Sequence, residues 1–494
     1  MTRADPFAVD LASAAEAVPD TASLRARALR AVAWRTGAYV IGQLVRIGAN
    51  VALAHLLFPE AFGLVALAGV FVQGLRMFSE LGIGPAIIQN PRDDPAFLNT
   101  AWTLQVARGF GLFLGSLAFA WPASWLYDEP RLAGLMVFIG LNAVIGGFNS
   151  TNAFTLNRKL AEGRRAVLDL VAEGLVGRGV MVAWALLWPS PWALVGGTCA
   201  GVLTCMVGSH LWLPGIRNRL HWDRAAARAL VTFGRWILVG AIIAFFSQQI
   251  DKLLLGRLAA IGVLGVYTIS LTVARMPQEF VGVIAGAVLY PALAEVGRLT
   301  PERFLEKARA ARRLLLLAAT PCVLAAAAGA PWFFALLYDA RYQDARWMAP
   351  LASLTVWFTI LSTTTGHALL ALGATRPLAF SGLAGFVTTG AACWVGHQAA
   401  GLPGFILGTT AGALTALLVV LAALRHRKVF LIAQDARYTL LLLALLGLVL
   451  AGHFAAERLA PRGLAGPLSL VWALCVVAAA GVWSGRRVWA VWGR

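Results

Sequence analysis

Residues 56–68 read LLFPEAFGLVALA, and residues 257–270 read RLAAIGVLGVYTIS. Each stretch is a tight turn running directly into an apolar helix, with Gly63 and Gly265 at the same place in it. Each following helix then carries a cation and an acid four residues apart, Arg76 with Glu80 and Arg275 with Glu279. Side chains at this spacing share a helix face. An internal repeat of about six helices follows, the arrangement of a membrane protein built from two related halves.

Composition fixes the medium. Of 494 residues, 59% are hydrophobic and 13% charged, which excludes an ordinary water-soluble domain. Fourteen membrane helices of about 20 residues need roughly 280 apolar positions, and 59% of 494 supplies about 291. Stretches long enough to cross the hydrocarbon fall at 34–56, 63–89, 98–126, 132–155, 166–187 and 193–213, then at 232–256, 261–290, 314–338, 347–371, 378–396 and 403–424, and last at 438–456 and 465–485. The expected fold is an all-α integral membrane protein of about fourteen transmembrane helices in two pseudo-symmetric six-helix lobes plus two C-terminal helices. The expected divisions are an N-terminal segment 1–33, a first lobe 34–213, a linker 214–231, a second lobe 232–424, and a C-terminal pair with its tail, 425–494.

The 41 Lys and Arg against 23 Asp and Glu give a net charge of +18. In a soluble chain this would point to nucleic acid; here it obeys the positive-inside rule. With the N-terminus inside, inward tails and loops hold 29 basic residues, outward loops 6, and the spans the remaining six. Both termini are therefore expected in the cytoplasm. The outward loops, such as DEPR at 128–131, are too short to form a domain, and PERFLEKARAARRL at 301–314 reads as a short surface helix before the ninth span, with Thr300 at its N-cap and Pro301 opening it. Cys199, Cys205, Cys322, Cys393 and Cys475 all lie in apolar runs and read as small hydrophobes. No short apolar segment precedes the first span, so its first helix is expected to serve as its own insertion signal. Small residues four apart, Gly404, Gly408 and Gly412 among them, suit closely packed membrane helices.

A charge at the bilayer centre costs at least about 2.5–3.5 kcal/mol, so charged residues inside spans need a reason. The cations are Arg46, Arg76, Arg108, Arg178, Lys252 and Arg275, and the acids are Glu80, Asp169, Glu173, Asp251 and Glu279. All eleven fall on spans 1, 2, 3, 5, 7 and 8, and none on spans 9 to 14. That clustering implies a common water-filled cavity. Arg76 with Glu80, Arg275 with Glu279, Arg178 with Glu173, and Asp251 with Lys252 also read as structural pairs. Arg46 and Arg108 have no acid within a turn of their own helix and are the expected free cations, the alternative being a partner on another helix such as Asp169. Guanidinium groups match phosphate oxygens two at a time and stay charged in a poorly hydrated site, so the cavity is expected to take an anionic head. Glu80, Asp251 and Glu279 are the candidates for ion or proton coupling. There is no phosphate-binding glycine loop and no metal-ligand spacing among the seven histidines, so no cofactor is expected.

The stretches LAHLLFPEAFGLVALAGV at 53–70, FFSQQIDKLLLGRLAAIGVLGVYTISLTVARMP at 245–277 and LYPALAEV at 289–296 resemble the polysaccharide and O-antigen flippase family of the multidrug, oligosaccharidyl-lipid and polysaccharide exporter superfamily. The resemblance covers most of residues 30–430 as topology. Asp251, Lys252, Gly256 and Tyr267 match the second-lobe pattern best, while the second copy lacks the Pro59 and Glu60 of the first. The resemblance implies a non-enzymatic carrier of an undecaprenyl-diphosphate-linked oligosaccharide, rocking two lobes about a cationic cavity in the bacterial inner membrane, with H+ or Na+ coupling. It also implies a polysaccharide polymerase and a chain-length regulator as partners. A multidrug antiporter of the same superfamily would favour an acidic or aromatic cavity, and a membrane polymerase would need catalytic groups on sizeable outward loops.

Overall fold

The computed structural model describes residues 21–78, 83–89, 94–158, 163–296, 301–459 and 464–492, and these are helical apart from short connections. The first part contains α1 (Thr21–Leu56), α2 (Pro59–Phe78), α3 (Ile83–Gln89), α4 (Pro95–Tyr127), α5 (Arg131–Gly147), α6 (Asn152–Arg158), α7 (Gly163–Asp169), α8 (Arg178–Leu187) and α9 (Pro191–Leu211), with a π-helical turn, Leu170–Gly177, joining α7 to α8. The second contains α10 (Arg224–Leu258), α11 (Ile261–Ala274), α12 (Met276–Ile284), the π-helical Ala285–Leu289, α13 (Tyr290–Val296), α14 (Pro301–Leu337), α15 (Ala345–Ala371) and α16 (Thr375–His426). Two last helices, α17 (Ile432–Leu459) and α18 (Ala465–Trp492), complete the chain.

Eight described helices are long and apolar enough to cross a membrane, and three shorter apolar ones, within α1, α5 and α11, accompany them. The 52-residue α16 is two helices: Ala400 leaves the helical region, and Gly401 takes a φ of 63° that glycine adopts without a Cβ clash. Its arms pack on each other along the glycine stripe. A methyl at Gly404 would strike the Gly396 carbonyl, one at Gly408 would meet Cys393, and one at Gly412 would meet Thr389. Without Cβ atoms the two backbones come close, and dispersion holds them where no hydrophobic force acts between helices.

The two repeat stretches meet each other. A methyl on Gly63 would collide with the Ile261 carbonyl, and one on Gly265 with the Pro59 carbonyl. Ile261 stands in the second copy where Pro59 stands in the first, so each copy offers the other the same contact. That reciprocity is the mark of a two-fold axis, and it places α2 against α11 where the charge pattern predicts the outside. The same end is tied by Tyr342 Oη donating to Leu57 O at 2.9 Å, Arg341 Nη2 donating to His55 O at 3.1 Å, and Tyr127 Oη donating to Leu253 O at 3.0 Å. One apolar core runs through both halves there, with Leu64, Leu67 and Met136 from the first and Leu264, Phe334 and Met348 from the second.

At the opposite end the linker is fastened to the first half. Ser150 Oγ donates to the Asn218 side chain at 2.7 Å, Asn152 Nδ2 donates to Ile216 O at 3.1 Å, and Thr100 Oγ1 accepts from Asp223 N at 3.0 Å. Residues 301–314, expected as a separate surface helix, are instead the first turns of α14. At about 1.5 Å per residue its 37 residues outrun a 30 Å hydrocarbon slab, so the basic turns extend beyond the slab without a break. One residue of that segment turns inward: Arg312 is fully buried, and its Nη2 lies 2.9 Å from Asp435 Oδ1 on α17. This buried pair lies just before the ninth and thirteenth expected spans, 314–338 and 438–456, where the sequence marked no buried charge, and it fixes α17 to the second half.

Candidate functional site

The first half encloses a cavity of about 620 Å³. Arg76 reaches it from the last turn of α2, Arg108 from the middle of α4, and Arg165 and Asp169 from α7. Arg108 Nη2 donates to the Arg76 carbonyl at 2.7 Å, and Arg165 Nε lies 3.8 Å from Asp169 Oδ2. The Asp169 side chain is 51% exposed, so water reaches the site. Helix α5 ends in this wall, leaving carbonyls that a low-dielectric medium penalises. Gln105 Nε2 satisfies them, donating to Gly147 O at 3.0 Å and Asn149 O at 3.1 Å. Among the described lining residues, three guanidiniums face one carboxylate.

A second cavity, of about 410 Å³, lies in the other half. Asp251 at its edge is 6% exposed. Its Oδ2 accepts from Tyr267 Oη at 2.9 Å and lies 3.6 Å from Arg275 Nη2, while its Oδ1 is buried with no hydrogen-bond partner among the described residues. The remaining wall carries hydroxyls, including Thr355, Thr359, Ser362 and Thr363 on α15. Thr355 Oγ1 shares hydrogen bonds of 2.8 Å with Thr409 and Thr410 on α16.

Among the described residues, one ion pair lies between the halves. Arg46 Nη2 of α1 is 3.0 Å from Glu279 Oε2 of α12, and Gln43 Nε2 donates to the same oxygen at 3.0 Å. Arg178 lies close enough to Arg46 to repel it, and Glu173 attracts both Arg178 and Arg76. A chain of charge thus runs from the first cavity to the seam between the two halves.

Several expectations are corrected. Arg46 is not free, since it holds Glu279; Arg275 pairs with Asp251 rather than Glu279. The bond from Arg178 Nη1 goes to the Glu173 backbone carbonyl at 2.9 Å, because the π-helical turn places that carbonyl five residues back. Lys252 Nζ, attracted by Asp251, donates to Gln249 Oε1 at 3.0 Å and lies outside both linings. Arg108, expected free, is held by a carbonyl. Glu80 lies outside the described residues. The charges expected in one chamber are divided between two cavities and the seam. Sequence reasoning missed Arg165 by placing it in a loop, although it stands four residues before Asp169 just as Arg76 stands before Glu80. It missed the hydroxyl wall because scattered Thr and Ser in apolar helices carry no local signal.

Comparison with known proteins agrees with this architecture. A profile of the family described as "Polysaccharide biosynthesis protein" matches residues 52–346. The chain is 24% identical over 279 residues to the lipopolysaccharide biosynthesis protein WzxC of Escherichia coli (strain K12), covering 56% of each chain. It is 24% identical over 244 residues to the succinoglycan biosynthesis transport protein ExoT of Rhizobium meliloti (strain 1021), covering 49% of each. The chain spans about half the length of the curated relatives it matches. Among solved structures, it superposes on the lipid II flippase MurJ in an inward closed conformation with a TM-score of 0.69 at 11% identity, covering 92% of this chain and 99% of that one. An inward-facing multidrug resistance MATE family transporter of the MOP superfamily gives 0.61 at 13% identity, covering 80% and 98%. These likenesses show that the chain shares the fold of those two proteins.

Proposed function

The chain belongs to the polysaccharide biosynthesis protein family, and on that premise we propose that it is a flippase for a polyprenyl-diphosphate-linked oligosaccharide. In this reading the protein is a carrier rather than a catalyst. It lies in the bacterial inner membrane with both termini cytoplasmic and crosses it about fourteen times. The observation that carries the reading is the excess of guanidinium over carboxylate in the first cavity, where Arg76, Arg108 and Arg165 face Asp169 alone among the described lining residues. A water-accessible cavity between membrane helices with that balance is stabilised by an anion, and a diphosphate offers each guanidinium a pair of oxygens.

The mechanism is alternating access. The diphosphate enters between the halves and is held by the first-cavity arginines while the polyprenyl tail stays in lipid. At the seam its charge competes with Glu279 for Arg46. Release of that pair lets the halves rock so that the contact of Gly63 with Gly265 opens, and the head passes to the opposite leaflet. Asp251, with one buried oxygen unpartnered among the described residues, is the group this reading assigns to H+ or Na+ coupling. A polymerase and a chain-length regulator would act on the delivered product.

The test is transfer itself. Purified protein in liposomes should move a fluorescent polyprenyl-diphosphate saccharide between leaflets, and Arg108→Gln should abolish transfer while leaving the protein inserted. Transfer no faster than in protein-free liposomes, or full transfer by the variant, would overturn the reading.

A further inference from the structure

A third cavity lies outside both halves' interiors, among α14, α17 and α18, with a volume of about 720 Å³. Arg309 and Arg313 enter it from α14, Arg437 from α17 and Arg487 from α18. None of its described lining residues is a carboxylate. Glu302 and Glu306, on the first turns of α14, do not line it, and Asp435, two residues before Arg437, is engaged by Arg312 at 2.9 Å. Four like charges brought together from three helices repel one another, and loop topology alone asks only that they lie on one side of the membrane, not that they converge.

The walls are graded. Helix α17 begins at this end and α18 finishes at it, so Leu441 lies a turn deeper than Arg437, and Trp483 a turn deeper than Arg487. The Arg487 guanidinium sits 4.3 Å from the Trp483 ring centre. The cleft therefore passes from a cationic rim to an apolar and aromatic floor, the profile of an amphiphile's head and first methylenes. Its surroundings fit such an occupant: only 6% of the most apolar stretch of α17 is buried, at a mean hydropathy of 2.2. Lipid is the neighbour that such a face requires.

We propose that this cleft binds the phosphate headgroup of an anionic membrane lipid, and that four guanidiniums select a lipid carrying two phosphates. Two of the arginines are partly committed: Arg309 donates to the Phe430 carbonyl at 2.8 Å, and Arg313 hydrogen-bonds Tyr438. Arg437 and Arg487 reach the cleft without a backbone anchor and are the ones to remove. Basic pockets between membrane helices bind two-phosphate and inositide heads by this chemistry, and a bound lipid would staple α17 and α18 to α14.

The full-length protein in detergent is titrated with diphosphatidylglycerol, phosphatidylglycerol, phosphatidylethanolamine, inorganic phosphate and polyprenyl diphosphate, and followed by native mass spectrometry and by thermal unfolding. Diphosphatidylglycerol should bind best. The Arg437→Gln, Arg487→Gln double variant should bind it about thirty-fold more weakly, the factor for losing two basic attractions. Arg437→Lys with Arg487→Lys should retain most of the binding, which separates loss of charge from loss of fold. Arg425→Gln with Arg486→Gln, equal in charge and outside the lining, should change it less than three-fold. Equal loss in this control, equal binding of phosphatidylethanolamine, or displacement by inorganic phosphate at the lipid's own concentration would overturn the proposal. So would preferential binding of polyprenyl diphosphate, which would give the cleft to the substrate.

Discussion

Glu279→Gln should tighten binding of a diphosphate head while loosening the contact between the two halves. The Arg46–Glu279 pair has an N···O distance of 3.0 Å, which at an effective dielectric of about 20 gives roughly 5 kcal/mol of gross attraction. The side chains are 26% and 38% exposed, so solvent screens much of that, and about 2 kcal/mol is the net value for a charged hydrogen bond of this kind. A term of that size shifts a two-state equilibrium about thirty-fold. Spin labels on α1 and α12 should show that shift toward separated halves in Glu279→Gln and in Arg46→Gln. The double variant should be no worse than either single one, because both remove the same contact. Substrate binding should split the two: Glu279→Gln frees the guanidinium and raises affinity for polyprenyl diphosphate by up to about thirty-fold, whereas Arg46→Gln lowers it. Additive shifts in the double variant, or weaker binding in Glu279→Gln, would refute the idea that substrate and carboxylate compete for one cation.

Three further outcomes follow from other parts of the molecule. Arg312→Leu leaves Asp435 buried without its partner and should lower the stability of the folded protein by about 3–5 kcal/mol, while Arg312→Leu with Asp435→Leu should recover most of it; thermal unfolding in micelles distinguishes them. Gly265→Ala sets a methyl against the Pro59 carbonyl, a backbone atom that cannot swing aside, so spin labels on α2 and α11 should read a longer distance and transfer should slow, with an unchanged distance counting against the two-fold contact as the closing surface. Arg341 holds the Asp339 carboxyl below its ordinary range through hydrogen bonds. A depressed acid stabilises the fold above its unfolded value near pH 4 and loses that contribution as pH falls through the folded one, so the difference in unfolding midpoint between the natural protein and Asp339→Asn should begin to shrink below about pH 4 and vanish on further acidification.

What was legible in the sequence and what was not divide along a physical line. The all-helical, membrane-spanning character was readable because burial in hydrocarbon is a property of each residue, summed over about 20 neighbours. The glycine repeat was readable because a close backbone approach tolerates no substitute, so Gly63 and Gly265 mark the contact even though neither stretch names the other as partner. Pairing was not readable. The rule that residues four apart share a face assigned Glu279 to Arg275, yet Glu279 meets Arg46 from the other half, and Arg275 meets Asp251 on the preceding helix. In a low dielectric a carboxylate takes whichever cation the packing brings to about 3 Å, and helix packing is fixed by contacts far away in the chain. At the π-helical turn Leu170–Gly177, Glu173 offers Arg178 a backbone carbonyl in addition to the attraction of its carboxylate. Arg312 was hidden for the opposite reason: it sits among basic residues that suit a cytoplasmic surface, and only its registration against Thr364 and Asp435 shows that this one faces inward. Within a helix the sequence reports the medium a residue can tolerate. The partner that makes the residue tolerable is supplied by the fold.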